Sequence, residues 1–514
     1  VLKYLKSSAK TIKTMIKIPR TMATQHPDNA KAPYWEQDGD TFVSAKEEPA
    51  ECVDAFQNLN VEEFMWDWEG KFAEEAVIDR LFHKYFDYFK ENQLGLKKRL
   101  TFRIPNIWQE KGYSLIRALM VILTSEDFAR DLKFHSPPLF EVILPMTENA
   151  KQLIFIQKSF QELAKIKSKI FNQSEKNAQY INIIPLFEDV HTQINAKRIL
   201  IEYIKLHKRT FGFKPKYLRV FIARSDPAMS SGMVSTVLAN KIILSDLCEL
   251  EKESGIPIYP ILGAGSLPFR GGLSPLTMKE FDEEYRGIHT ITIQSAFRYD
   301  YKLSSVKKAI KYYNQQTIRK PEIISSEERS KLLRIINLFE KEYKANLKKI
   351  LPDVSFVFNS FPRRRERHLH IGLLSYGRKI HGVNMPRAIT FTGSFYSLGI
   401  PPEFLDVGAI LSLTDKEVAL VNKFYKNTKG ALSHAGRFLN RNNLRKLGKK
   451  SKSWAKIEKD IEQTENFLKI KFKTQSKDDI AHLKLTGMLL KSKKNPKKIK
   501  QIINKTGILR KSLG

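Results

Sequence analysis

Cysteine is scarce in this sequence. Cys52 and Cys248 are the only two in 514 residues, they are far apart, and they form no metal-ligand spacing. That excludes a disulfide framework and fits a reducing cytoplasm. Long apolar runs are also missing: no stretch approaches the roughly 18–20 residues that a membrane-spanning helix needs. A glycine-rich dinucleotide turn is absent after the first candidate strand, which argues against an open, doubly wound nucleotide-binding sheet. Acidic residues are few beside basic ones, 55 against 88, for a formal charge of +33. Yet no zinc-finger, RNP-type or basic-zipper pattern accompanies that charge.

The distribution of the charge matters more than its size. From Val421 onward there are 26 Lys and Arg against 6 Asp and Glu, with a lysine-rich end, "KSKKNPKKIK", at 491–500. Aromatic residues that would stack on bases are thin there. A lysine-heavy genome, or a hot and salty cytoplasm, gives the same bias with no nucleic acid involved. The basic end therefore reads as solvated, and nucleic acid as an unlikely main partner. A barrel protein without catalysis that binds nucleic acid or polyanions through this region stands as the alternative function. The first fourteen residues, "VLKYLKSSAKTIKT", are basic and lack a secretory h-region. They share that composition with organellar transit peptides, but read as a disordered extension or an early start, with Met15 as the beginning.

What is present is a recurring alternation of strand and helix. Apolar, β-rich runs bounded by turn residues occur at 63–70, 99–106, 139–147, 181–189, 217–226, 256–265, 289–297 and 368–376. Amphipathic stretches such as 195–209 and 328–351 lie between them. Near-continuous apolar strands alternating with helices imply parallel strands covered on both faces. Eight such units predict an α/β fold, a (β/α)8 TIM-type barrel, with strands over about 63–376 and a helical part over about 388–514, all within one domain from residue 15. Strand after strand ends in polar residues: Asp67 and Glu69, Arg103 and Asn106, Glu188 and Asp189, Arg224 and Asp226. In a barrel those ends share one rim, where active sites are built.

Four constellations carry chemistry. "IIPLFED" and "FIARSDPAMSSG" are apolar strands ending in Glu188 and Asp226. Two hard oxygen donors on neighbouring strand ends suit Mg²⁺ or Mn²⁺, which keeps waters and draws its other ligands from a phosphorylated substrate. Each also reads as a helix N-cap. "GAGSLPFRGGLSP" sets Arg270 before Gly271 and Gly272 in a flexible loop, a guanidinium placed for phosphate or carboxylate. Arg378 and Arg387 follow the eighth run, whereas "RRRER" at 363–367 precedes it and reads as a solvated turn on the opposite face. Near the start, "TMATQHPDNA" places His26 before Pro27 on a stiff polar corner that suits neither helix nor strand.

In order along the chain, "TQHPDNA", "MWDWEGK", "FEVILPMT", "IPLFED", "ARSDPAM", "PFRGG", "LHIGLLSYGR" and "MPRAITF" resemble phosphoenolpyruvate carboxylase of the short, archaeal type, from about Ile18 to the terminal "LRKSLG". The resemblance implies carboxylation of phosphoenolpyruvate by bicarbonate to oxaloacetate and phosphate, through carboxyphosphate and an enolate, with Mg²⁺ or Mn²⁺ as cofactor. It implies metal ligation by Glu188 and Asp226 and catalysis by His26, Arg270 and Arg387. Substrate binding falls to Arg224, Arg378, Gly271 and Gly272. His26 would assist carboxyphosphate breakdown and hold CO2 beside the enolate. A cytoplasmic homotetramer that supplies four-carbon acids is the family's expectation. Met229 stands where the long bacterial and plant forms carry lysine, and "LGAG" at 262–265 replaces the first half of their double Gly-Arg loop, both as in the short type.

Overall fold

A computed structural model describes residues 17–36, 38–68, 76–109, 113–170, 180–365, 379–380 and 383–514. Eight short strands form its centre: β1 Thr21–Thr24, β2 Glu63–Asp67, β3 Arg99–Arg103, β4 Glu141–Leu144, β5 Asn182–Phe187, β6 Leu218–Ala223, β7 Ile258–Gly263 and β8 Thr290–Ile293. Neighbours pair in parallel, and β1 pairs with both β2 and β8, so the sheet closes into a barrel. The expected fold class holds, but the ring is shifted by one unit. It runs from Thr21 to Ile293 rather than over 63–376. The first expected strand is the second of the ring, and β1 is the "TMAT" just ahead of His26. The expected strand at 368–376 falls outside the described residues, and the ring closes without it.

Strand alternation sorts side chains between the barrel interior and the helix layer. On β2 the inward positions are Glu63, Met65 and Asp67; on β3 they are Arg99, Thr101 and Arg103. Met22, Met65, Ile143, Ile184, Leu186, Phe221, Ala223 and Ile261 form the apolar middle of the barrel. Beneath it lies a buried ionic plug. Arg219 donates to Glu63 at 2.6 Å and to Glu141 at 2.9 Å, and Arg99 donates to Glu141 at 2.8 Å. Buried ions are tolerated only when paired and hydrogen-bonded, and these are. With that end filled, the inward polar residues at the other end of the strands have one place to act, the C-terminal rim.

Outside the ring, Phe56, Phe64, Trp66, Phe102 and their neighbours seal strands to helices. A second core forms around the 33-residue helix Ser326–Phe358, opened by a Ser325–Glu328 capping box. Its buried stripe, Leu332, Ile335, Ile336, Phe339, Tyr343, Leu347 and Ile350, follows helical spacing. Each such side chain contributes about 1.5–3 kcal/mol on burial. The stripe packs on helix Met233–Ser254 and on the C-terminal helices.

The lysines of 491–500 are exposed, as a solvated end requires, but the segment is built into the fold. Pro496–Arg510 is a helix with Ile499, Ile502 and Ile503 buried, packed against helix Lys477–Leu489. Its exit turn carries Leu513 back to the rim, where the Leu513 N–H donates to the Asp28 carbonyl at 2.7 Å. Among the described residues, no helix is long and apolar enough to cross a membrane.

Candidate active site

The rim follows from the alternation that built the barrel. Met22 points inward, so Thr24 and His26 continue the same register past the end of β1. Thr24 Oγ1 lies 2.8 Å from His26 Nδ1. The His26 carbonyl accepts from the N–H groups of Asp28 and Ser295, at 3.0 and 3.3 Å. Pro27 stiffens the corner. Asp28 is wholly buried, and its carboxylate caps the short helix Ser295–Tyr299 by accepting from the Ala296 N–H at 2.7 Å. The corner is thus pinned from three sides, and burial pushes the Asp28 carboxyl upward against the lowering effect of Arg270.

Arg270 ends a one-turn 3-10 helix, Pro268–Arg270, after β7. Only 1% of it is exposed. Its guanidinium donates to Asp28 Oδ2 at 2.9 Å, Gln294 Oε1 at 2.6 Å, Ser225 Oγ at 3.1 Å and the Gly514 carbonyl. Three segments and the end of the chain therefore fix one cation. Glycines make the turn feasible. Gly271 and Gly272 have φ of +120° and +74°, and a Cβ on Gly271 would sit 2.6 Å from Ala264 Cβ. Gly265 lets the guanidinium lie over the backbone, since a Cβ there would come within 2.8 Å of Arg270 Cζ. Arg224 braces the same turn, donating to the Phe269 carbonyl and the Tyr285 hydroxyl, both at 3.1 Å.

His26, Arg103, Glu188, Arg224, Asp226, Arg270 and Arg387 line one cavity of about 540 Å³, with Leu186, Phe221 and Phe361 as apolar wall. Glu188 follows β5 and Asp226 lies in the first turn after β6, so adjacent strands deliver both carboxylates. Arg103 spans the floor: it grips Asp67 at 2.8 and 2.6 Å and reaches Glu188 at 3.8 Å. Among the described residues no three His, Cys, Asp or Glu cluster as a closed metal cage. Two carboxylates in an open, arginine-rich cavity instead fit a hard cation that keeps waters and substrate oxygens in its shell. Arg387 stands immediately before helix Ala388–Leu398 and is half-buried on the cavity wall.

Of the residues predicted from sequence, His26, Glu188, Arg224, Asp226, Arg270 and Arg387 come together here. Gly271 and Gly272 are not among the described lining residues; they shape the turn that presents Arg270. Arg378 lies outside the described residues. The described part of "RRRER" does not lie on the opposite face that the sequence predicts for it. Arg363, Arg364 and Arg365 line the cavity, and Arg365 is buried against Glu48 and Glu51. Gln294, Gly265 and Gly514 carried no local signal of their own. Asp28 could have been found from its place in the "HPDN" corner.

A family profile described as phosphoenolpyruvate carboxylase matches residues 18–514. A protein of that name from Leuconostoc mesenteroides is 44% identical over 504 residues, covering 98% of this chain and 100% of its own. Its namesake from Oenococcus oeni is 42% identical, covering 97% of this chain and 99% of its own. That from Metallosphaera sedula is 37% identical over 514 residues, again covering 97% and 99%.

Proposed function

The chain belongs to the phosphoenolpyruvate carboxylase family, and from that premise we propose that it joins phosphoenolpyruvate and bicarbonate into oxaloacetate and phosphate. The observation that carries the reading is the rim cavity, where arginines, one imidazole and two carboxylates converge over an apolar wall. A substrate bearing one phosphate and one carboxylate needs several fixed cations, and Arg270 and Arg387 supply them. Arg270 is held by four partners before substrate arrives, so it undergoes no reorganisation as charge develops. Mg²⁺ or Mn²⁺ held by Glu188 and Asp226 would supply charge neutralisation at the phosphoryl and enolate oxygens.

In this reading a bicarbonate oxygen bonds to phosphorus and the bond from phosphorus to the enol oxygen breaks. The products of that step are carboxyphosphate and the enolate of pyruvate. His26, its Nδ1 engaged by Thr24, exchanges the carboxyl proton through Nε2 as carboxyphosphate parts into CO2 and phosphate. The enolate carbon then bonds to CO2. The closed corner around His26 and the wall of Leu186, Phe221 and Phe361 keep water from the enolate. Arg224 acts by positioning, holding the turn that carries Arg270.

The convergence of His26, Glu188, Asp226, Arg270 and Arg387 favours catalysis over a polyanion-binding role for a silent barrel. The family's homotetramer and a supply of four-carbon acids belong to the same proposal. The deciding experiment supplies phosphoenolpyruvate, Mg²⁺ and bicarbonate and follows oxaloacetate through its reduction to malate. Folded protein that makes none, or makes it without bicarbonate, would overturn the reading.

A further inference from the structure

We propose that an open groove beside the catalytic cavity is a second anion site, built for a phosphate-bearing small molecule. The groove holds about 680 Å³ and lies between the segments around residues 40–42 and 359–364 and the start of helix Pro496–Arg510. That is the size of an ordinary small-molecule pocket. Lys497 and Lys500, with Arg363 and Arg364, which also line the catalytic cavity, bring four cations to it against one carboxylate, Asp40. Asp40 is turned back on its own loop, where Oδ1 accepts from the Phe42 N–H at 2.9 Å. Lys497 and Lys500 are three residues apart on one helix and so share a face.

Arg364 makes the strongest case. It is 5% exposed, yet its partners are neutral: Nε donates to the Asn29 carbonyl at 3.0 Å and Nη2 to Asn504 Oδ1 at 2.7 Å. Its neighbour Arg365 is equally buried but paired with Glu48 and Glu51. Burial pulls the Arg364 guanidinium down to about 10, against the raising effect of Asp300 and Asp40, neither of which it hydrogen-bonds. A buried cation with no carboxylate in hydrogen-bond contact is costly, and an arriving anion lowers that cost. Asn504, which takes the Nη2 hydrogen bond, lines the groove and not the catalytic cavity, so this end of the guanidinium belongs to the groove. Two guanidiniums and two ammonium groups match a doubly charged tetrahedral oxyanion better than a single carboxylate.

The test is hydrogen exchange read by mass spectrometry on the full-length protein, titrated with inorganic phosphate at fixed ionic strength. Phosphate is expected to protect residues 359–365 and 496–504 saturably. The double variant Lys497→Ala/Lys500→Ala should need about ten times more phosphate or more, as expected for loss of roughly 1.4 kcal/mol of contact. Both lysines are exposed surface residues outside the catalytic cavity, so the variant should keep its fold and its turnover at saturating substrate. Arg387→Ala, which cripples the neighbouring cavity, should leave the protection of 496–504 in place. Three results would overturn the site: no saturable protection, protection of 496–504 abolished by Arg387→Ala, or protection unchanged in the lysine variant.

Discussion

Arg270 and Asp28 are 242 residues apart in sequence and form a buried ion pair of 2.9 Å, joining the turn after β7 to the corner after β1. Asp28 also accepts from Ala296, and its carbonyl receives the Leu513 N–H, so the pair ties three parts of the rim to the end of the chain. Asp28→Ala would leave Arg270 buried without its counterion. Removing one partner of a buried pair costs about 3–5 kcal/mol, and Asp28→Asn, which keeps hydrogen-bonding oxygen, should cost less. Turnover should fall in both, because the cation loses its fixed direction. Denaturant unfolding and steady-state kinetics check this. Wild-type stability in Asp28→Ala would mean that the pair is dispensable.

The barrel was legible because apolar runs alternate with helices, yet three features were hidden for physical reasons. β1 has four residues and is followed by a proline corner, too short for any periodic signal. The runs look near-continuously apolar, so Glu63 at the start of β2 gives no sign of the ionic plug beneath the Met65 layer, although Asp67 at the other end of the same inward row reads as a rim residue. The arginines at 363–365 looked solvated because the acids that neutralise Arg365 lie 314 and 317 residues away. Six lysines in 491–500 likewise masked the buried stripe of Ile499, Ile502 and Ile503. Candidate site residues are easier to read where a strand end sets their direction, as for Glu188 and Arg224, than where a distant partner does, as for Arg365.

Asp226 tests the oxygen-donor pair. Asp226→Asn keeps shape and removes one anionic donor, so turnover should fall about 100-fold or more, in line with several kcal/mol of charge stabilisation. Thermal unfolding should barely move, and excess Mn²⁺ should restore part of the rate. Full activity at low metal would reduce Asp226 to a residue of the helix start.

Asp300 sets a pH dependence under the His26 corner. Its carboxylate accepts from the N–H groups of Ala30 and Lys31, at 2.8 and 2.7 Å, and burial raises it from 3.8 to about 7. A folded-state value above the unfolded one means that the fold holds the proton more tightly. The stabilising contribution is therefore complete below about pH 4, is lost as pH rises from there, and is gone above about pH 7. Asp300→Asn cannot titrate, so the stability of wild type relative to this variant should decline across that window. Chemical unfolding of both proteins at several pH values between 4 and 8 measures the difference. A difference independent of pH would show that Asp300 does not change protonation on unfolding.

His26 offers the sharpest division of the reaction into steps. Asparagine can fill the corner and hydrogen-bond to Thr24, but it exchanges no proton near neutral pH. If the imidazole acts after phosphoryl transfer, His26→Asn leaves Arg270, Arg387 and the carboxylates in place, and the first step proceeds. Carboxyphosphate then breaks down without productive bond formation, and the enolate is protonated to pyruvate. The expected outcome is bicarbonate-dependent phosphate release with little oxaloacetate and with pyruvate in its place, measured from one reaction mixture. Wild-type oxaloacetate yield would return His26 to a rim corner with no chemical part. Loss of both products in a folded protein would move it to the phosphoryl-transfer step, because both products descend from the same bound substrate.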